Sequence, residues 1–541
     1  MAATDGAAGR ATGGAAGSAT HGAAGSATGG AAGRATGGAT GGLTDGVRIP
    51  LRDQLWLLMD RPDNLMYINS LMWFSRVPDW DAVTEAIRTR MVEPYPVFRR
   101  VAERRGRRWY WVDDPDFDLS NHLIRRRLPE PGGRAEAEAH VAEQMGVPLP
   151  GGSPLWRVEF IEGYRSDGAE EEGALILFRV QHGVVDGVRL TQLVLDLCDH
   201  EDDTPLPSVG RDLSPRTKGV LGAMNAVVEA GADVARDSFG IARGLTGAAL
   251  RLPETLGRLT RDVLAPGRQL SRVPTRAVES LTDAIGPTNR MANTYRSVFR
   301  LLFEPRSADL SWSGRVHREK KVAWVSGLDL AAIKEVAKSH DSTVTPVMIA
   351  AVSKALTGYL DAHGDRRVSD INLMVPVSVG SGDDEAGELG NHITLVLMRL
   401  PLGIDDPEEL LGAITTSMTR VRYSLEPHVT FATILTVAAA PGPVARAVID
   451  LFANKTVGQL TSVPGPVGPV SLGGSTVDGM LGWVPMSGDQ ALGICIFSYD
   501  GTVTVGIATD AELIPEPGEV ASRIEEQFAE LAGGAGESTP A

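Results

Sequence analysis

The sequence is short of cysteine, of positive charge and of long apolar runs. Only two cysteines occur in 541 residues, Cys198 and Cys495, far apart and each inside an apolar stretch. With no CxxC pair there is neither a disulfide framework nor a zinc cluster to read, and a reducing cytoplasm fits. The formal net charge of -16 leaves no electrostatic footprint for nucleic-acid binding. The most apolar window, 431–440, is too short for a membrane span, and Pro441 and Pro443 interrupt its continuation. The N-terminus lacks a basic stretch followed by an apolar one, so no secretory signal is read.

What is present is a globular mix, with 43% hydrophobic and 22% charged residues, long enough for two or three domains. Residues 1–46 stand apart. They run through an eight-residue repeat, GAAGRATG, GAAGSATH, GAAGSATG, GAAGRATG, and then decay into GATGG. Gly and Ala at that density give nothing to bury, so a disordered tail is expected, and His21 within it is no catalytic candidate.

Between 47 and 205 the pattern alternates between strand and helix periods. Helices are predicted over 54–60, 80–91, 135–144 and 188–197, and strands over 66–74, 109–112, 156–162 and 174–181. The run ALILFRVQ at 174–181 is apolar enough for a buried central strand. A third stretch, 206–320, differs in charge: residues 211–320 hold 18 Lys and Arg against 11 Asp and Glu. Leu252, Leu256, Leu259 and Val263 recur there at helical spacing, with Arg251, Arg258 and Arg261 on the other face. A basic amphipathic helix of that kind suits an anionic membrane surface, and equally a packed helical linker. From 321 to 535 the alternation resumes. Strands are predicted over 321–325, 371–379, 392–400, 491–499 and 502–509, and helices over 328–339, 345–359, 407–423 and 514–531. The pair Asp500-Gly501 between two apolar runs is a hairpin signal, because the turn needs positive φ. Two α/β layered domains follow.

The chemistry concentrates in QHGVVDG, residues 181–187. His182 stands where a buried strand meets a glycine-rich turn, so rigid structure presents its ring. Asp186 can cap the next helix, and Gly183 and Gly187 allow close backbone approach. An imidazole titrating near neutral pH can act as general base on a hydroxyl, which contributes about 10²–10⁴-fold.

VQHGVVDG resembles the HHxxxDG motif of the bacterial wax ester synthase/diacylglycerol acyltransferase family, and other segments agree in order. LRDQLWLLMDRPDNLMYI from Leu51, WVDDPDFDLSNHL from Trp111, SPLWRVEFIEG from Ser153, LMVPVSV near Pro376, LGNHIT around Asn391, TSVPGPVGPVSLGG from Thr461 and the C-terminal LGICIFSYDGTVTVGIATD have counterparts. The resemblance spans about 47–532.

It implies two chloramphenicol-acetyltransferase-like domains joined by a helical linker, with a channel at their junction. It further implies that His182 deprotonates an acceptor hydroxyl, that Asp186 and Gly187 organise the turn, and that the alkoxide attacks an acyl-CoA thioester. The products would be triacylglycerol or wax ester. Acyl-CoA is then a substrate, with no metal or bound cofactor. The other partners are a lipid alcohol and the surface of a membrane or lipid inclusion, for a cytoplasmic protein held there peripherally. Three departures from the family, at four positions, stand out. The first motif histidine is Gln181, which strand alternation turns away from His182. The Asn-Asp pair is Thr345 and Pro346, and the Asn before Val-Pro-Gly-Pro is Ser462. Gln181, Thr345 and Asn391 are candidates for the oxyanion hole or channel; Thr345 also suits a helix N-cap, and Asn391 a strand end or a CoA contact. Pro154, Leu155 and Trp156 are expected to pack near the channel, and Pro464, Gly465 and Pro466 to shape a loop. Other acceptors on the same fold, a polyketide or carrier-bound hydroxyl, and a silent lipid-binding role remain alternatives.

Overall fold

The computed structural model describes residues 46–106, 108–166, 171–200, 309–378, 391, 393–423, 430 and 442–537. The repeat tail, the amphipathic stretch of 252–263 and the apolar window 431–440 lie outside them.

The first half contributes strands β1 (Val47–Arg48), β2 (Tyr67–Phe74), β3 (Arg100–Arg105), β4 (Arg108–Asp113), β5 (Leu123–Arg127), β6 (Trp156–Tyr164) and β7 (Gly173–Gln181). Its helices are α1 (Leu51–Met59), α2 (Trp80–Ala86), α3 (Arg134–Met145) and α4 (Gly187–Leu197). The second half adds β8 (Lys320–Asp329), β9 (Asp370–Ser378), β10 (Ile393–Pro401), β11 (Gly458–Pro464) and the short β12 (Ser471–Leu472) and β13 (Ser475–Thr476). It ends with β14 (Gly479–Trp483), β15 (Leu492–Tyr499) and β16 (Thr502–Asp510). Its helices are α5 (Leu330–Ser339), α6 (Val344–Ala362), α7 (Pro407–Tyr423), α8 (Gly442–Ala453) and α9 (Pro517–Glu537).

Among the described residues, beside a three-stranded sheet β1-β4-β3 and the pair β12-β13, stand two large sheets, each backed by helices. One has the order β14-β2-β7-β6-β5 and the other β10-β9-β11-β15-β16-β8. β7 is buried at all nine positions because β2 and β6 flank it and core side chains cover both faces. The hairpin between β15 and β16 turns at Asp500 and Gly501, whose φ values of 42° and 74° are the positive pair such a turn requires.

The sequence reading did not predict β3, β14 or α8, and three further outcomes differ from it. The predicted helix over 80–91 stops at Ala86 and continues as a wider π turn, Ile87–Val92. β5 was invisible because its sequence, LIRRR, puts charge on an exposed edge strand, where arginine also deters unwanted pairing. The Val-Pro-Gly-Pro stretch begins inside a strand, since β11 runs parallel to both β9 and β15 before Pro464 ends it.

The two halves are not separated in sequence order. β14, from the second half, pairs antiparallel with β2 of the first, Met480 opposite Met72 and Trp483 opposite Asn69. A small apolar cluster also joins them, with Leu51, Leu55, Trp56 and Met59 of α1 packed on Met374 and Leu395. At the other side Arg134 of α3 donates to the Trp324 carbonyl on β8 at 2.7 Å. Among the described residues, no single helix is long and apolar enough to cross a membrane.

Candidate active site

His182 leaves the end of β7 with its N–H bonded to the Met66 carbonyl at 2.8 Å, so the rigid sheet fixes its backbone. Gly183 makes the next step possible. A Cβ there would stand 3.0 Å from the Asp53 carbonyl and 3.4 Å from Leu57, so glycine lets α1 pass this close without a shift. Asp186 is the N-cap of α4, its Oδ1 accepting from the Arg189 N–H at 2.9 Å, which makes it an organiser of the turn.

The imidazole is held on two sides. Its Nδ1–H donates to Asn391 Oδ1 at 2.8 Å. The Trp56 indole stacks on its face, with ring centroids 3.6 Å apart and planes 11° from parallel. Asn391 in turn donates from Nδ2 to Asp53 Oδ1 at 2.8 Å and to the His182 carbonyl at 2.8 Å. The Asn391 backbone N–H reaches the same Asp53 oxygen at 2.9 Å. Because an amide oxygen only accepts, the proton of a neutral His182 sits on Nδ1 and the lone pair on Nε2.

The site is dry. His182 is 2% exposed, Asp53 3% and Asn391 1%. Burial pushes the His182 imidazole well below its ordinary value, against the smaller upward pull of Asp186 and the Asn391 bond. Burial likewise pushes the Asp53 carboxyl up to about 6, although the Arg52 charge and the Asn391 N–H groups favour its ionised form.

Beside the motif a mostly apolar cavity opens between the two sheets. Gly187, Leu190, Thr461, Met480, Trp483 and Phe497 are among its lining residues, drawn from both halves. Gly187 has no positive φ, and a Cβ on it would meet nothing within 4 Å. The absence of a side chain there keeps space open.

The sequence candidates divide accordingly. His182, Asp186, Gly187 and Asn391 come together, and Asn391 reaches the imidazole itself. Gln181 turns its Oε1 onto the Gly183 N–H and leaves Nε2 buried without a partner. Thr345 lies half-buried in the first turn of α6; the N-cap position falls two residues earlier, at Thr343, whose side chain makes no capping bond. Ser462 is exposed, while its neighbours Thr461 and Val463 line the cavity, as alternation along β11 dictates. Trp156 is core, its indole N–H donating to the Phe98 carbonyl at 2.8 Å. His122 stacks on Trp156 and bonds its carbonyl, a structural arrangement.

Two residues at the imidazole escaped the sequence reading, Asp53 and Trp56. The available signal was an acidic residue on the buried face of α1, among Leu51, Leu55 and Met59.

Residues 51–348 match the family described as the wax ester synthase/diacylglycerol acyltransferase catalytic domain, and residues 389–532 match the WS/DGAT C-terminal domain. A Mycobacterium tuberculosis protein named for diacylglycerol O-acyltransferase activity is 28% identical over 442 residues, 78% of this chain and 76% of that protein. An Acinetobacter baylyi protein named O-acyltransferase WSD is 24% identical over 494 residues, 88% of this chain and 95% of the relative. In fold, the chain is similar to the wax ester synthase/diacylglycerol acyltransferase of Marinobacter aquaeolei, with a TM-score of 0.59 at 21% identity over 91% of this chain and all of the other. The first condensation domain of the calcium-dependent antibiotic synthetase shares the architecture, with a TM-score of 0.53 at 14% identity over 91% of this chain and 98% of that domain.

Proposed function

As the chain belongs to the wax ester synthase/diacylglycerol acyltransferase family and is therefore an O-acyltransferase, we propose that it moves a long-chain acyl group from acyl-CoA to diacylglycerol or a long-chain alcohol. The observation that carries this reading is the imidazole of His182, buried, neutral at physiological pH and with its Nδ1 proton committed to Asn391.

Nε2 takes the hydroxyl proton as the alcohol oxygen attacks the thioester carbonyl. The tetrahedral oxyanion collapses, the C–S bond breaks and the imidazolium returns its proton to the departing thiolate. No metal or bound cofactor enters these steps. Gln181, whose buried Nε2–H has no partner, is the candidate oxyanion donor, and its side chain must turn towards the imidazole to act, because strand alternation points it away. The cavity beside Gly187, about 40 Å³ in volume, has the apolar lining an alkyl chain needs and must widen to hold one. Work at a membrane or inclusion surface follows from the insolubility of the proposed acceptors, with the basic segment within 206–320 as the surface contact.

The test is CoA release from labelled acyl-CoA by the purified full chain, with diacylglycerol, long-chain alcohols and a carrier-bound hydroxyl as acceptors. Ester formation with free lipid alcohols and its loss in His182→Ala support the reading. Undiminished turnover in that variant rules out the mechanism, and preference for the carrier-bound hydroxyl changes the acceptor.

A further inference from the structure

We propose that Asp53 is a positioning residue for the acyl transfer: its carboxylate fixes the orientation of the Asn391 amide, and the amide fixes the tautomer of His182. The inference rests on His182 being the general base.

An asparagine amide fits its site in two orientations, related by a half-turn that exchanges Oδ1 and Nδ2. In the observed one, Oδ1 accepts from His182 Nδ1, and Nδ2 donates to Asp53 Oδ1 and to the His182 carbonyl. Reversed, Oδ1 would face two oxygens with no proton to offer it, inside a region where water cannot compensate. The reversed Nδ2 would also point its hydrogens at His182 Nδ1. That nitrogen would have to become an acceptor, and the ring proton would move to Nε2. An imidazole in that form has no lone pair for the alcohol. The Asp53 carboxylate, together with the His182 carbonyl, therefore selects the productive tautomer without touching either substrate.

The geometry around it points the same way. The Asn391 backbone N–H pins the same carboxylate oxygen at 2.9 Å, so the acceptor cannot swing away from the amide. Trp56, one helical turn further along α1, lies flat on the imidazole and limits its rotation. The acid also sits where α1 otherwise presents apolar side chains to the second half. The charges acting on it are those of Arg52 and Asp186, and burial dominates both. A carboxylate held dry at 3% exposure costs stability that an apolar residue would not.

The experiment measures kcat and KM for CoA release with Asp53→Ala, Asp53→Asn, Asn391→Ala and the double variant Asp53→Ala/Asn391→Ala. All are made in the full chain, and circular dichroism checks that each is folded. Asp53→Asn keeps one acceptor oxygen for the two Asn391 N–H groups and is the conservative rescue. The expected result is a fall in kcat of at least about tenfold in Asp53→Ala and in Asn391→Ala, with KM for acyl-CoA within about twofold, since a wrong tautomer alone can cost up to about 10⁴. The double variant should be no slower than the slower single, because residues acting as one unit do not add. Asp53→Asn should exceed Asp53→Ala. A folded Asp53→Ala with kcat within about twofold of the parent overturns the proposal, as do losses that multiply in the double or an Asp53→Asn no faster than Asp53→Ala. If His182→Ala stays active, the general-base reading fails first. If His182→Ala is dead and Asp53→Ala is unaffected, only this inference falls.

Discussion

Asn391 accepts the Nδ1 proton of His182 across 209 residues of sequence, at 2.8 Å. The proposed base comes from the first half of the chain and its partner from the second, so the pair forms only when both are docked.

With His182 as the proposed base, the burial that lowers its pKa should set the pH dependence of turnover. The base must be unprotonated, so rate rises with pH through the pKa of His182 and is level above it. Since burial lowers that pKa, the acid limb of kcat/KM should lie below the 6.5 of an ordinary histidine. Protonation of Asp53, at about 6, adds to the same limb. A pH–rate profile from 5 to 9 checks it, and a limb centred at 6.5 or above contradicts the assignment.

Asp53 should trade stability for activity. Its folded pKa of about 6 lies above the 3.8 of the free side chain. Between these values the native state holds more proton than the unfolded one, so stability falls as pH rises and the whole cost is present above about 6. The shift corresponds to on the order of 3 kcal/mol. His182 works in the opposite sense: its lowered pKa removes stability as pH falls below 6.5. Asp53→Asn should therefore melt at a higher temperature than the parent at pH 8, with the difference vanishing towards pH 4. Thermal melts across that range measure it, and a lower melting temperature at pH 8 would count against a net cost from the buried charge.

Gly187→Val places a branched side chain in the cavity beside the motif. The positions of His182 and Asp186 need not move, because a Cβ at 187 meets nothing within 4 Å. Turnover of long-chain alcohols should drop at least about fivefold while short-chain alcohols lose much less, as expected when a filled pocket discriminates by methylene count. A chain-length series of acceptors is the measurement. Equal losses at every length would place the alkyl chain elsewhere.

Gly479→Ala tests the strand that crosses between halves. A Cβ there would stand 2.0 Å from Trp73 Cζ2, an overlap that neither the ring nor β14 can absorb in place. The variant should be destabilised by about 2–4 kcal/mol, the scale of overpacking a core together with partial loss of a strand edge. Urea denaturation followed by tryptophan fluorescence reports it. Gly501→Ala, strained by its φ of 74° but meeting no neighbour, should cost less.

Much of this was legible in the residues. The buried strand ALILFRVQ, the turn into α4 and the Asp500-Gly501 hairpin follow from periodicity and turn chemistry, which act over a few neighbouring residues. The motif with its flanking segments pointed to His182 as the candidate base, and Asn391 entered as a candidate through the same resemblance. Asp53 and Trp56 stayed hidden because an acidic residue and an indole in an amphipathic helix look ordinary until the helix is docked.

The sequence by itself determined where strands and helices begin and which imidazole stands at a strand end, since backbone conformation answers to local steric and polar preferences. Tertiary structure alone decided that β14 would complete the first sheet, and that residues 338 apart would share one carboxylate oxygen. Such contacts have no period and no spacing. They arise when two apolar surfaces close over a few polar groups, which must then satisfy one another.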